Sequence, residues 1–269
     1  MTSRQISTRE LLARSQSLIA LLIMVIGMCF LSESFLTADN GWNILRQISV
    51  NLCLSIGMTL IILSGGIDLS VGAILALSGA VAAGVLKNGI GIPAFDVLIQ
   101  FTLAGAIVAG IAVGLAAGWF NGFVVTRFKL PPFVATLGMF SIARGLTMLW
   151  TGGFPVTGLG EGFAFIGTGM LLGVPMPVWI TAALVAVFVV VTRKTRFGRY
   201  LYAVGGNERA AVLTGLRVKR IKIWVYTLGG GLAGVAGLLV TARLDSAQPN
   251  AGLGYELDSI AAVVIGGTS

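Results

Sequence analysis

Asp68, Glu208 and Asp258 are the acidic residues of this 269-residue chain whose surroundings suggest a task. Asp68 lies in Ser64-Gly-Gly-Ile-Asp-Leu-Ser-Val-Gly72, two residues before Ser70 and between two apolar runs. A carboxylate there suits a helix N-terminus, and it also suits a polar element of a route through a membrane protein. Glu208 and Arg209 stand side by side in Asn207-Glu-Arg-Ala-Ala-Val-Leu-Thr-Gly215, a pattern for docking rather than bond breaking. Catalytic chemistry finds no support. Histidine is absent, which removes Ser-His and Cys-His pairs and the commonest metal ligand. No Gly-Lys pair exists for a phosphate-binding loop, and no Cys-x-x-Cys occurs. Cys29 and Cys53 sit in apolar runs and read as small buried hydrophobes. No catalytic residue, metal ligand or cofactor is expected on this chain.

The segment from Thr192 to Ile223 carries nine of the 18 Lys and Arg residues and a single acid, Glu208. Basic loops beside membrane spans stay on the cytoplasmic side. Residues 193–222 are therefore expected to form a cytoplasmic loop. Within it, Asn207 to Gly215 reads as a short helix that a glycine stops. A membrane protein that presents a small helix to the cytoplasm has a partner to engage there.

The elements that position these residues follow from composition. The chain is 56% hydrophobic and 10% charged, against roughly 25% charged residues in a soluble domain. So few charges cannot cover a water-facing surface, which makes this an all-α, polytopic membrane bundle. The net charge of +8 follows from loop orientation, so nucleic acid is not an expected partner.

Apolar runs fall at 17–36, 48–64, 70–86, 97–125, 132–150, 178–192, 223–243 and from 256 onward, giving about eight spans. With the polar 1–16 segment in the cytoplasm, the inner segments hold three, none, two and nine Lys and Arg residues in chain order. The outer segments hold Arg46, Lys87 and Arg243, and Arg144 lies within a run. This asymmetry supports the helix count, a cytoplasmic N-terminus and one transmembrane domain over 17–269.

The run 97–125 is 29 residues long and places Gly110, Gly114, Gly118 and Gly122 at intervals of four. Such a stripe lets another helix backbone approach closely, and Gly230-x-x-x-Gly234 repeats the device. Thr151 to Pro177 has no Lys or Arg and is rich in Gly and Pro, which leaves open a lip, a re-entrant turn, a docking surface or a solvated loop. Ile67-Asp68 and Leu257-Asp258 form a weak echo, an acid entering a small-residue helix in each case. The chain stops at Ile265-Gly-Gly-Thr-Ser269 without a polar tail, so the natural protein is expected to continue.

Gly65-Gly-Ile-Asp-Leu-Ser-Val-Gly72, Arg196-Phe-Gly-Arg-Tyr-Leu-Tyr-Ala-Val-Gly-Gly-Asn-Glu208, Ser246-Ala-Gln-Pro249 and the run from Gly254 to Ser269 closely resemble the permeases of bacterial ribose-type sugar ABC importers. Leu130-Pro-Pro-Phe-Val-Ala-Thr-Leu-Gly138 is similar in pattern. The resemblance implies a type II importer arrangement of about ten helices, two more than this chain shows. It implies a bacterial inner-membrane location, a second permease subunit (the same chain or a close homologue), and cytoplasmic subunits that bind ATP and Mg. An external sugar-binding protein completes the set. It places a coupling helix at Gly206 to Gly215, with Glu208 and Arg209 making polar contacts, Asn207 at its start, and Ala210, Ala211 and Leu213 entering the ATPase. It also places Asn51, Asp68 and Ser70 near the translocation route, and Ser246 to Leu257 near the external mouth.

Three readings compete. A permease of an ATP-driven importer needs an exposed cytoplasmic helix and few charges along its path, as sugars are neutral. Within that class a branched-chain amino-acid permease is the nearest competitor. An ion-coupled secondary transporter places ionisable groups in the bundle, where Asp68, Arg144 and Asp258 are candidates. An intramembrane enzyme lacks the residues it would need.

Overall fold

The computed structural model describes residues 8–92 and 96–268. Met1 to Ser7 of the expected N-terminal segment, with Arg4, and the terminal Ser269 lie outside the described residues. The chain forms two compact units, Met1–Leu45 and Arg46–Ser269. In the first, α1 spans Thr8–Leu31 and includes polar sequence upstream of its apolar stretch. The next helix, α2 (Ala38–Leu63), begins ten residues before the apolar run it carries. The Thr37 hydroxyl accepts the Asn40 amide at 3.3 Å, and Asp39 sits in the first turn, so a polar cap starts this helix.

The second unit holds α3 (Val71–Asn88), the hairpin β1 (Ile90–Ile92) and β2 (Val97–Ile99), α4 (Leu103–Phe128) and α5 (Pro132–Thr151). Then come β3 (Val156–Thr157), α6 (Glu161–Thr168), the hairpin β4 (Met170–Leu171) and β5 (Val174–Pro175), and α7 (Met176–Lys194). The chain finishes with α8 (Arg196–Gly206), α9 (Glu208–Leu213), α10 (Val218–Leu244), β6 (Ser246–Ala247) and α11 (Tyr255–Ile265). Among the described residues, six helices are long and apolar enough to cross a membrane: α2, α3, α4, α5, α7 and α10. The other two apolar runs are the Ile19–Leu31 part of α1 and the 11-residue α11. Eight apolar runs therefore give six full-length candidates, a multi-pass all-α bundle.

The core is built on α3, α4 and α10, and their small residues explain how. A Cβ built on Gly114 or Gly118 of α4 would overlap the carbonyl oxygens of Gly230 and Tyr226 on α10. One on Gly110 would meet Ser78 O of α3 at 2.9 Å, and one on Gly122 would meet Ile223 Cα at 2.7 Å. On the other flank, a Cβ on Gly79 of α3 would overlap the Thr241 hydroxyl of α10 and lie 3.0 Å from Gly237 O. All four glycines of the α4 stripe are buried. Backbone touches backbone along these seams, which is how apolar helices gain packing energy where lipid offers no hydrophobic drive.

One expectation needs correction, and one segment left open takes a definite form. The 29-residue apolar run is not one helix: Val97–Ile99 pairs with Ile90–Ile92 in a hairpin, and the helix starts only at Leu103, capped by the Thr102 hydroxyl. Apolarity could not separate the two, because a short apolar strand and a helix segment read alike. The segment from Thr151 to Pro177 is more ordered than a solvated loop. Its α6 buries Phe163, and a Cβ on Gly167 would overlap the backbone of Arg243 at the end of α10. Here β3 pairs with β6, and Leu159 donates its amide to Asp245 Oδ1 at 2.9 Å.

Candidate functional site

The basic stretch folds into two helices rather than a loop with one. Thr195 caps α8 by accepting the Gly198 amide. This helix is amphipathic and buries Gly198, Leu201 and Val204. Its far end lies on α2, since a Cβ on Gly205 would overlap the Leu63 carbonyl oxygen. Then Asn207 caps α9, its side chain accepting the Ala210 amide at 3.0 Å. Gly215, at φ +82°, closes it with Gly215 N donating to Val212 O and Leu216 N to Ala211 O, the glycine-stopped end that the sequence suggests.

On α9 the side chains divide by face. Val212 and Leu213 are 55% and 88% exposed, while Ala211 is 4% exposed. Ala211 belongs to a buried cluster with Leu60, Val125, Val204, Val218 and Tyr226. Of the three residues expected to enter a partner, Ala211 is thus turned inward and anchors α9 to its own bundle, while Ala210 and Leu213 face out with Val212. Glu208 Oε2 accepts from Lys222 Nζ at 2.7 Å, which ties α9 to the first turns of α10 and leaves Arg209 exposed.

Beside α9 opens a cleft of about 870 Å³, lined by Ser64 and Gly65 on one side and by Asn207, Glu208, Arg209, Val212 and Leu213 on the other. The cleft brings together two segments far apart in sequence, the α9 helix and the linker to Asp68. Asp68 itself is fully buried. Its Oδ1 accepts the Ser70 amide at 2.7 Å and the Ser70 hydroxyl at 2.5 Å. Asn121 of α4 donates to Ser70 Oγ at 2.9 Å and more weakly to Asp68 Oδ2 at 3.5 Å. From α5, the Thr136 hydroxyl accepts the Leu69 amide at 3.1 Å. Burial pushes the Asp68 carboxyl above the ordinary carboxylate range, and the bonds from Ser70 and Asn121 oppose that. The group joins the start of α3 to α4 and α5.

Asn51 stands apart, 12 residues before the end of α2 and so about 18 Å along the helix. The three residues expected along a route are therefore not one cluster. Sequence reasoning missed Asn121, Thr136 and Tyr226. A lone Asn in the apolar run 97–125 was a visible signal. Tyr226 gave none, yet it is buried, and Gly66 has no room for a Cβ against its hydroxyl. The echo between Asp68 and Asp258 fails in register: Asp68 precedes its helix, whereas Asp258 is exposed in the first turn of α11.

At the opposite end of the bundle, Arg144 of α5 donates through Nη1 to Pro249 O at 2.6 Å and Ala251 O at 3.0 Å. Those bonds fix the Ser246–Leu257 segment, which also meets β3. Among the described residues no group of three or more His, Cys, Asp or Glu could hold a metal ion.

The family described as "Branched-chain amino acid transport system / permease component" matches residues 41–269. The ribose import permease protein RbsC of Escherichia coli (strain K12) is 47% identical over 273 residues, covering 100% of this chain and 82% of that protein. The protein of the same name in Bacillus subtilis (strain 168) is 46% identical over 253 residues, 93% of this chain and 75% of its own length. The D-allose transport system permease protein AlsC of Escherichia coli (strain K12) is 37% identical over 252 residues, 94% and 74% of the two chains. No solved structure matches the chain.

Proposed function

We propose, for a chain that belongs to the branched-chain amino acid transport system / permease component family, that it is the membrane permease subunit of an ATP-driven importer of a ribose-type monosaccharide. It works in the bacterial inner membrane by alternating access, beside a second permease subunit. An external sugar-binding protein delivers the substrate. A cytoplasmic subunit binds ATP and Mg and drives the cycle, while this chain carries no ATP chemistry of its own.

The observation that carries this reading is the geometry of α9. It is a capped helix at the basic end of the bundle, anchored through Ala211 and Lys222, with Val212 and Leu213 presented outward. An exposed apolar pair on a charged surface is a docking feature. Its Glu208, Val212 and Leu213 also line the cleft that Ser64 and Gly65 bound, so a push on α9 reaches the linker that holds Asp68. That is a physical route from an ATPase to α3, α4 and α5. The sugar assignment draws on the names of the relatives at 37–47% identity.

The family description itself favours a second reading, a branched-chain amino acid as cargo. One experiment separates the readings. The chain is reconstituted in proteoliposomes with its ATPase, and labelled ribose and leucine are supplied with their binding proteins. ATP-dependent accumulation of ribose supports the proposal, and accumulation of leucine alone moves the cargo to the second reading. Uptake that follows an ion gradient without the ATPase overturns both.

A further inference from the structure

Where α8 meets the start of α10, the surface holds a groove of about 400 Å³ lined by Phe197, Tyr200, Arg217, Arg220, Ile221 and Trp224. We propose that this groove binds the headgroup and upper chain of an anionic phospholipid, through Arg217 and Arg220 on the phosphate and Trp224 and Phe197 on the hydrocarbon. The proposal rests on the chain being a multi-pass membrane protein and not on its cargo.

Arg217 is the residue that precedes α10 and Arg220 lies in its first turn, and both line the groove. Both are exposed, and neither has an ion-pair partner among the described residues. Glu208, the one acid in the stretch, is engaged by Lys222. Two free guanidiniums at this spacing suit a phosphate diester, which accepts from planar donors at two oxygens.

Lipid is the occupant argued for because of what lies next to the charges. Ile223 begins the apolar body of α10, a membrane-spanning candidate. Trp224 is largely exposed on it, and Tyr200 on α8 is partly so. Indole and phenol rings collect where hydrocarbon gives way to headgroups. Arg220 stands one turn before the exposed Trp224, at the end of a candidate spanning helix, which reproduces the order of phosphate and then acyl chain. A basic pocket between helices at this level is a recognised form of anionic-lipid site.

The test uses the full chain in a neutral detergent. Dioleoyl phosphatidylglycerol should raise its thermal unfolding midpoint, while dioleoyl phosphatidylcholine should not. In the Arg217→Gln/Arg220→Gln double variant the lipid concentration needed should rise about thirtyfold. Arg193→Gln/Lys194→Gln, outside the groove, should keep the native response. Should the double variant fail to fold, brominated acyl chains give a second reading on the native protein. Phosphatidylglycerol carrying them should quench the fluorescence that Trp224→Phe removes, more strongly than brominated phosphatidylcholine does. Equal effects of the two lipids overturn the site. A full response to soluble glycerol 3-phosphate assigns the groove to free phosphate and overturns the lipid. Displacement of the bound lipid by the purified ATPase shows a protein-docking surface instead, and overturns it too.

Discussion

Gly114 of α4 and Gly230 of α10 occupy each other's Cβ space: a methyl group on either would overlap the other's carbonyl oxygen. The contact is backbone against backbone, with no flexible side chain to yield. Gly114→Ala or Gly230→Ala should therefore destabilise the chain by about 1–3 kcal/mol. Gly138→Ala, inside α5 where a Cβ meets nothing within 4 Å, should leave stability unchanged or raise it by up to about 1 kcal/mol. Thermal unfolding in detergent checks the contrast, and equal midpoints for all three would remove the packing account.

The Asp68 node should behave as one unit. Asp68→Ala leaves the Ser70 amide and hydroxyl without their acceptor and removes the weaker of the two Asn121 contacts, a loss of roughly 1–3 kcal/mol. A double-mutant cycle with Asn121→Ala should return a coupling of about 0.5–3 kcal/mol, as directly bonded groups do. Simple additivity would mean that the two side chains act separately.

Neighbouring substitutions on α9 should fail in different ways. Leu213→Asp changes a side chain that is 88% exposed, so stability should hold within about 0.5 kcal/mol while ATP-driven uptake falls. Ala211→Asp buries an unpaired carboxylate in the bundle and should cost about 3 kcal/mol or more. Uptake and unfolding, measured on both variants, tell docking from anchoring. Normal uptake by Leu213→Asp would remove α9 as the coupling element.

The Glu208–Lys222 pair is partly exposed, at 53% and 17% of the two side chains, so its direct contribution to stability should be about 0–1 kcal/mol. Glu208→Lys with Arg209→Glu should nevertheless depress uptake, because it reverses the charges offered beside Leu213. Membrane yield should stay normal. Uptake at the native rate contradicts a role for these charges in coupling.

Arg144→Ala should loosen the far end of the bundle, because one guanidinium nitrogen holds the carbonyls of both Pro249 and Ala251. Amide hydrogen exchange across residues 246–257 should accelerate relative to α10. Unchanged exchange would mean that β3–β6 pairing alone fixes the segment.

Much of this molecule is legible before folding, and the reason is local chemistry. Ten per cent charge over 269 residues demands lipid as solvent. The Asn207 cap and the Gly215 stop fix α9 within a residue, because caps act through hydrogen bonds inside one turn. Spacing by four at Gly110 to Gly122 announces a face for close approach without naming the helix that takes it. The α8 helix escaped notice because its 11 residues lie amid charges that read as a loop, although Leu201 and Val204 fall on one side.

Sequence by itself determined the membrane setting, the helix-stop signals and the places where backbones can meet, since each depends on residue type and short spacing. Tertiary structure alone decided that Gly114 meets Gly230, that Asn121 completes the Asp68 node, and that Ala211 turns inward while Leu213 faces out. Those facts depend on which helix lies beside which and at what rotation. Packing of the whole bundle sets that rotation, and no window along the chain contains it.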